Sequence, residues 1–190
     1  MDVFPFRFSD RTEAGAELAE RLLALDLDHP IIYALPRGGV PVAVEVARRL
    51  NAPLDLILVR KIGAPGQPEL ALGAIVEGPE ARMILNEEVK LLSGADPAYI
   101  ERARADQQAE LERRRLEYLG DRPRLSATGR TVVVVDDGMA TGATLKAALG
   151  ALKHSGAARI VVALPVAPKQ ALADLAARAD DVVCLHPAIA

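Results

Sequence analysis

Four consecutive valines, Val132–Val135, run directly into two adjacent carboxylates, Asp136 and Asp137. An unbroken β-branched run suits a strand buried on both faces, and such strands belong to parallel sheets covered by helices. The next residues are small, glycine or hydroxyl-bearing: Gly138, Met139, Ala140, Thr141, Gly142, Ala143 and Thr144. A helical pattern then runs from Gly142 to Lys153. In a parallel sheet, ligands bind where the strands end at their carboxyl side. The loop N–H groups and the helix N-terminus together form an anion cradle. Gly138 and Gly142 allow the backbone angles a cradle needs. Thr141 and Thr144 can donate hydroxyl hydrogen bonds to an anion. The two carboxylates would repel a phosphate, but they suit a vicinal diol or a cation. Acids beside an anion cradle fit a phosphorylated sugar.

Alternating helix and strand patterns along the rest of the chain predict an α/β fold with a mostly parallel sheet. Asp10 and Glu13 form a capping-box pattern that opens a helix through about Leu25, with Ala14, Leu18, Leu22 and Leu25 on one face. Ile31–Leu35 reads as a buried strand, Pro36–Gly39 as a tight connection, and Val40–Leu50 as a helix with Pro41 in its first turn. Leu54–Val59 reads as a second strand. The two prolines and two glycines in 62–68 predict a mobile loop. Leu72–Val76 and Ala81–Leu85 read as strands, and Asn86–Leu92 and Pro97–Leu119 as a helical insert. The long helix has mixed charges and a weak apolar stripe at Ile100, Ala103, Leu111 and Tyr118. Arg159–Leu164, Lys169–Arg178 and Asp181–Leu185 complete the chain as strand, helix and strand. At 190 residues, one domain is expected.

The lookalikes of a strand–loop–helix phosphate site fit poorly. Gly138 to Lys146 lacks Walker A spacing, and no Gly-x-Gly-x-x-Gly follows a strand. A receiver domain carries its acid pair near the N-terminus, whereas here it comes late. Over all thirteen positions from Val132 to Thr144, the chain resembles the phosphoribosyl pyrophosphate (PRPP) motif of type I phosphoribosyltransferases. The resemblance implies a parallel-sheet, Rossmann-like three-layer core with a helical insert and a small or incomplete hood. It implies that Asp136 and Asp137 bind the ribose hydroxyls, that Met139, Ala140, Thr141, Gly142, Ala143 and Thr144 hold the 5′-phosphate, and that Gly138 belongs to the same substrate-binding run. Mg²⁺ is expected through PRPP, near the acid pair, with no directly assigned protein ligand set.

Pro36, Arg37, Gly38 and Gly39 resemble the family's pyrophosphate loop, which often contains a non-proline cis peptide. A guanidinium and two unobstructed glycine N–H groups are expected there. Arg60 and Lys61 precede the Pro/Gly-rich stretch where the family has a closing loop, and the pair resembles adenine-type members. Arg37 and Lys61 are candidate catalytic cations, and Glu69 is the candidate proton carrier. The acid that oxopurine-salvage relatives carry within the phosphate loop is replaced here by Ala140. For the base pocket, either the N-terminal segment with Phe4, Phe6 and Phe8 contributes, or a C-terminal tail completes it.

The implied function is transfer of a phosphoribosyl group from PRPP to a nitrogenous base. The alternative is a PRPP- or nucleotide-sensing module on the same fold. A net charge of -3 gives no drive toward nucleic acid, and no apolar run approaches a membrane span. Met1–Arg7 lacks the features of a signal peptide, so the cytoplasm is the expected compartment. The single cysteine, Cys184, excludes an intramolecular disulfide. His29, His154 and His186 receive no catalytic role. A homodimer is what the family resemblance implies.

Overall fold

The computed structural model describes residues 8–78, 81–139 and 142–188. In chain order the elements begin with α1 (Arg11–Leu23), β1 (Ile31–Ala34), α2 (Gly39–Leu50), β2 (Leu54–Leu56), β3 (Val59–Ala64), β4 (Gln67–Val76) and β5 (Arg82–Leu85). There follow α3 (Glu87–Ser93), α4 (Pro97–Leu119), β6 (Thr131–Val135), α5 (Ala143–His154), β7 (Arg159–Pro168), α6 (Lys169–Ala176) and β8 (Asp181–Ala188). They form two compact units. The first takes the chain up to Leu56, then Leu125–Gly142, then Leu152 onward; the second takes Ile57–Arg124 with Ala143–Ala151.

The first unit is a five-stranded sheet in the order β2-β1-β6-β7-β8, with every pairing parallel. Its central strands are the apolar runs of the sequence: Ile31 to Ala34 and Val132 to Val135 are all buried. Each buried valine contributes about 1.5–3 kcal/mol relative to exposure, as an upper bound. Asp10 caps α1 by accepting from the Glu13 N–H at 2.8 Å. The Glu13 carboxylate reaches back one residue further than in a standard capping box, to the N–H and hydroxyl of Ser9. Helix α1 buries Ala14, Leu18 and Leu22. It meets α2 at Gly15, where a Cβ would fall 2.7 Å from the Val42 carbonyl oxygen and 2.8 Å from Glu45 Cβ. Buried Asp55 fixes the return of the chain: its Oδ2 accepts from the Leu125 N–H at 2.9 Å, while the Tyr33 hydroxyl donates to the Leu125 carbonyl at 2.7 Å.

The second unit contains an antiparallel sheet, β3-β4-β5, and it corrects the reading of 62–68 as a mobile loop. That stretch is the end of one hairpin strand, a turn, and the start of the next. Gly63 permits it, because a Cβ there would lie 2.5 Å from the Pro68 carbonyl oxygen. Register shifts on either side of Gly63 absorb the irregularity, and Gly66 turns the chain at φ 68°. The strand expected over Leu54–Val59 is likewise interrupted after Leu56, and Val59 begins β3.

Helix α4 lies against this hairpin. The Tyr99 hydroxyl donates to the Gly63 carbonyl at 2.7 Å, and Arg60 Nε donates to Gln107 Oε1 at 2.8 Å. Arg115 is buried and pairs with buried Glu77 at 3.0 Å; Glu77 also accepts from the Leu58 N–H. The Arg113–Arg115 run is therefore no basic patch: Arg113 and Arg114 both pair with Glu110 at 2.8 Å, and Arg115 points inward.

Candidate active site

Strands β1 and β6 are neighbours in register, so the connections that leave their carboxyl ends lie side by side. The Leu35 N–H donates to the Val135 carbonyl at 3.0 Å, joining the two strand ends. The connection after β1 contains a cis peptide between Pro36 and Arg37. Gly39 then passes so close to β6 that a Cβ would sit 2.7 Å from the Val135 carbonyl oxygen and 3.0 Å from Asp136 Cα. A Cβ on Gly38 would overlap the Asp137 carboxylate itself. Gly39 is required for the pyrophosphate-loop candidate and the acid pair to occupy one place, because its neighbours are backbone, and Gly38 leaves the room that the Asp137 carboxylate takes. Only one of their N–H groups is open, however. That of Gly39 donates to the Leu35 carbonyl at 3.0 Å, whereas that of Gly38 has no partner among the described residues. The Arg37 side chain is exposed.

The two acids differ. Asp136 is half-buried, and its Oδ1 accepts from the Asp137 N–H at 2.9 Å. Burial pushes its pKa up to about 7, and the neighbouring Asp137 charge adds to the rise against the opposing backbone hydrogen bond. Asp137 Oδ2 accepts two hydrogen bonds from Arg11, from Nε at 3.0 Å and Nη2 at 2.8 Å. No local sequence pattern pointed to Arg11, because only the fold brings residue 11 to residue 137.

Asp137 and Arg11 border a cavity of about 720 Å³, within the usual size of small-molecule pockets. Phe8, Ala14, Pro41, Val42, Pro165 and Val166 supply apolar surface, and Ser9, Asp10 and Thr12 add polar groups. Phe8 also lies against the His186 ring, centroids 5.0 Å apart. Of the three N-terminal phenylalanines considered for the base pocket, Phe4 and Phe6 lie outside the described residues.

The remaining candidates are spread over both units. Gly138 and Met139 follow the acids, and Gly142 has a positive φ of 70°, with Met139 occupying the space a side chain there would need. Ala140 and Thr141 lie outside the described residues. Ala143 and Thr144 open α5 and group with the second unit, as do Arg60, Lys61 and Glu69. Arg60 is held by Gln107 on α4, while Lys61 and Glu69 are exposed on the hairpin.

A family model described as "Phosphoribosyl transferase domain" matches residues 10–188. Two Mycobacterium tuberculosis proteins, from strains CDC 1551 and H37Rv, carry the provisional name phosphoribosyl transferase. Each is 47% identical over 178 residues, which is 94% of this chain and 40% of theirs. The chain thus spans under half the length of these curated relatives. The crystal structure of TT1426 from Thermus thermophilus is 50% identical with a TM-score of 0.82, covering 96% of this chain and 86% of that one. A purine phosphoribosyltransferase from Pyrococcus horikoshii is 18% identical with a TM-score of 0.50, covering 95% and 86%; at that identity it speaks to the fold alone. On the family match and the near-half identity to its relatives, this chain belongs to the phosphoribosyl transferase domain family.

Proposed function

We propose that the chain binds PRPP and transfers its 5-phosphoribosyl group to a nitrogenous base with release of pyrophosphate. One observation carries this reading: the β6 acid pair and the connection after β1 interlock at Gly38 and Gly39, beside a cavity sized for a small molecule. In the transfer, the bond from ribose C1 to the pyrophosphate oxygen breaks. A C1–N bond forms, the base nitrogen gives up its proton, and pyrophosphate leaves with the bonding electrons. Asp136 and Asp137 accept the ribose hydroxyls and so hold C1 in place. The turn from Gly138 to Thr144 takes the 5′-phosphate. Arg37, Arg60 and Lys61 supply positive charge, and the open Gly38 N–H donates to the leaving pyrophosphate. Glu69 is the candidate proton carrier, and the base is assigned to the cavity lined by Phe8.

No group of three or more His, Cys, Asp or Glu among the described residues could hold a metal ion. No protein ligand is assigned to Mg²⁺: a hard cation suits the oxygens of PRPP itself, near Asp136 and Asp137. Neutralisation of pyrophosphate charge is what Mg²⁺ supplies when bound. We read residues 1–190 as one phosphoribosyltransferase domain acting in the cytoplasm as a homodimer. No helix among the described residues is long and apolar enough to cross a membrane.

The test is calorimetric titration with PRPP, with and without Mg²⁺, of the wild type and the Asp136→Asn/Asp137→Asn variant. Saturable binding lost in the variant supports the site, and pyrophosphate release on adding a base then supports the transfer. Binding without release for any purine or pyrimidine would favour a sensing module. No binding by folded wild-type protein would refute the PRPP reading.

A further inference from the structure

Arg11 is the first residue of α1 and lies outside every motif that pointed to the site. Its guanidinium sends two donors to one oxygen, Oδ2 of Asp137, at 3.0 and 2.8 Å. No N–H donates to Oδ1 among the described residues, and the carboxyl of Asp136 is hydrogen-bonded to the Asp137 side chain. On another side the carboxylate is closed by the bare Cα of Gly38. The group is thus held between a cation and a glycine, with Oδ1 outside the grip of the guanidinium.

This pair is not what holds α1 in place. Buried Ala14, Leu18 and Leu22 and the close contact of Gly15 with α2 do that. The Arg11 side chain is 59% exposed and that of Asp137 31%. Ion pairs so open to solvent contribute little to stability. Yet both residues border the 720 Å³ cavity, at the place where a ribose would meet the acids.

We propose that Arg11 is a positioning residue for the acid pair: it fixes the Asp137 carboxylate so that Oδ1 meets a hydroxyl of the bound sugar phosphate, and it stays on Oδ2 while the ligand is bound. This rests on the PRPP reading. It makes the first turn of α1 part of the ribose site, together with the connections after β1 and β6. Charge alone does not suffice, because two donors from a planar group set the carboxylate's orientation and a lysine cannot reproduce them.

The test is PRPP titration of the wild type, Arg11→Ala, Arg11→Lys, Asp137→Asn and Arg11→Ala/Asp137→Asn. Arg11→Ala is expected to weaken binding about tenfold, in line with the loss of a charge-assisted hydrogen bond. Arg11→Lys should remain weakened. In the Asp137→Asn background, removing Arg11 should change nothing further. The melting temperature of Arg11→Ala should stay within about 2 °C of wild type, as for other exposed pairs. A second readout covers an Asp137→Asn variant that binds too weakly to titrate. The Arg11 Nε–H resonance, assigned by its loss in Arg11→Lys, should persist when PRPP saturates the wild type.

Several outcomes overturn the proposal. Equal weakening by Arg11→Ala in both backgrounds would make Arg11 a direct ligand. Tighter binding by Arg11→Ala, or loss of the Nε–H resonance on saturation, would make the pair a latch that the ligand must open. Unchanged affinity in Arg11→Ala removes this inference alone, whereas failure of the wild type to bind PRPP removes the functional reading and this inference with it.

Discussion

Asp136 and Asp137 are adjacent in the chain but meet different chemistry: one is half-buried beside a carboxylate, the other faces a guanidinium. The first situation has a consequence for stability. The folded protein holds a proton on Asp136 up to about pH 7, whereas the unfolded chain releases it near the ordinary value of 3.8. Between those values the native state binds more protons than the unfolded state, so stability falls as pH rises. From about pH 5.5 to about pH 8 the wild type is expected to lose about 2 kcal/mol of unfolding free energy, and Asp136→Asn to lose most of that slope. Denaturant titrations at both pH values measure it, and an equal slope in the two proteins would contradict the assignment. The acid pair could be recognised from its place at the end of a valine strand. Gly38 could be recognised as a turn glycine, but not for its contact with Asp137, and Arg11 could not be found at all. A pairing between residues 11 and 137 leaves no local trace in a sequence.

The hairpin shows the same boundary at the scale of elements. Each strand whose apolar run lay in the parallel sheet could be read from its composition. In the hairpin sheet Leu72–Val76 and Ala81–Leu85 could be read too, but the turn end over 62–68 could not, because glycine and proline count against a strand only until its partner is known. Gly63 is in register with Ala71, yet the Pro68 backbone closes on its bare Cα, and the register shifts on either side of Gly63 are an irregularity that neither residue suggests alone. The stripe on α4 was weak because its anchors are partly polar: Tyr99, Gln107 and Arg115 act beside buried Ile100 and Leu111. Glu77 is the centre of this arrangement. Burial raises its pKa despite the opposing pull of Arg115 and Arg124. Desolvation therefore outweighs attraction, and the pair holds α4 in register at some cost. Breaking such a pair leaves a buried charge without compensation. Glu77→Gln is expected to destabilise the protein by about 3 kcal/mol. Faster amide exchange should then be concentrated in β3, β4 and α4. A change below about 0.5 kcal/mol would show that the pair is solvated in solution.

Across the whole molecule, the two strands that carry the candidate site are neighbours in space and far apart in the chain. Ile31 pairs with Val132, Ile32 with Val133, Tyr33 with Val134 and Ala34 with Val135. About a hundred residues must be made between the two partners, and contacts so distant in sequence form slowly. The α/β class followed from the alternation of patterns, but the order β2-β1-β6-β7-β8 did not, because an apolar run does not name its neighbour. A fragment ending at Arg130 keeps only β1 and β2 of the five-stranded sheet. It is expected to show no cooperative unfolding transition and no PRPP binding; a sharp transition assigned to β1 and β2 would refute this. The interlocked strand ends thus have a meaning for biosynthesis. Until Thr131–Val135 leaves the ribosome, Ile31–Ala34 presents an unpaired apolar edge of the kind that seeds aggregation. The nascent chain is therefore most in need of a chaperone at the same pair of strands on which its chemistry will later depend.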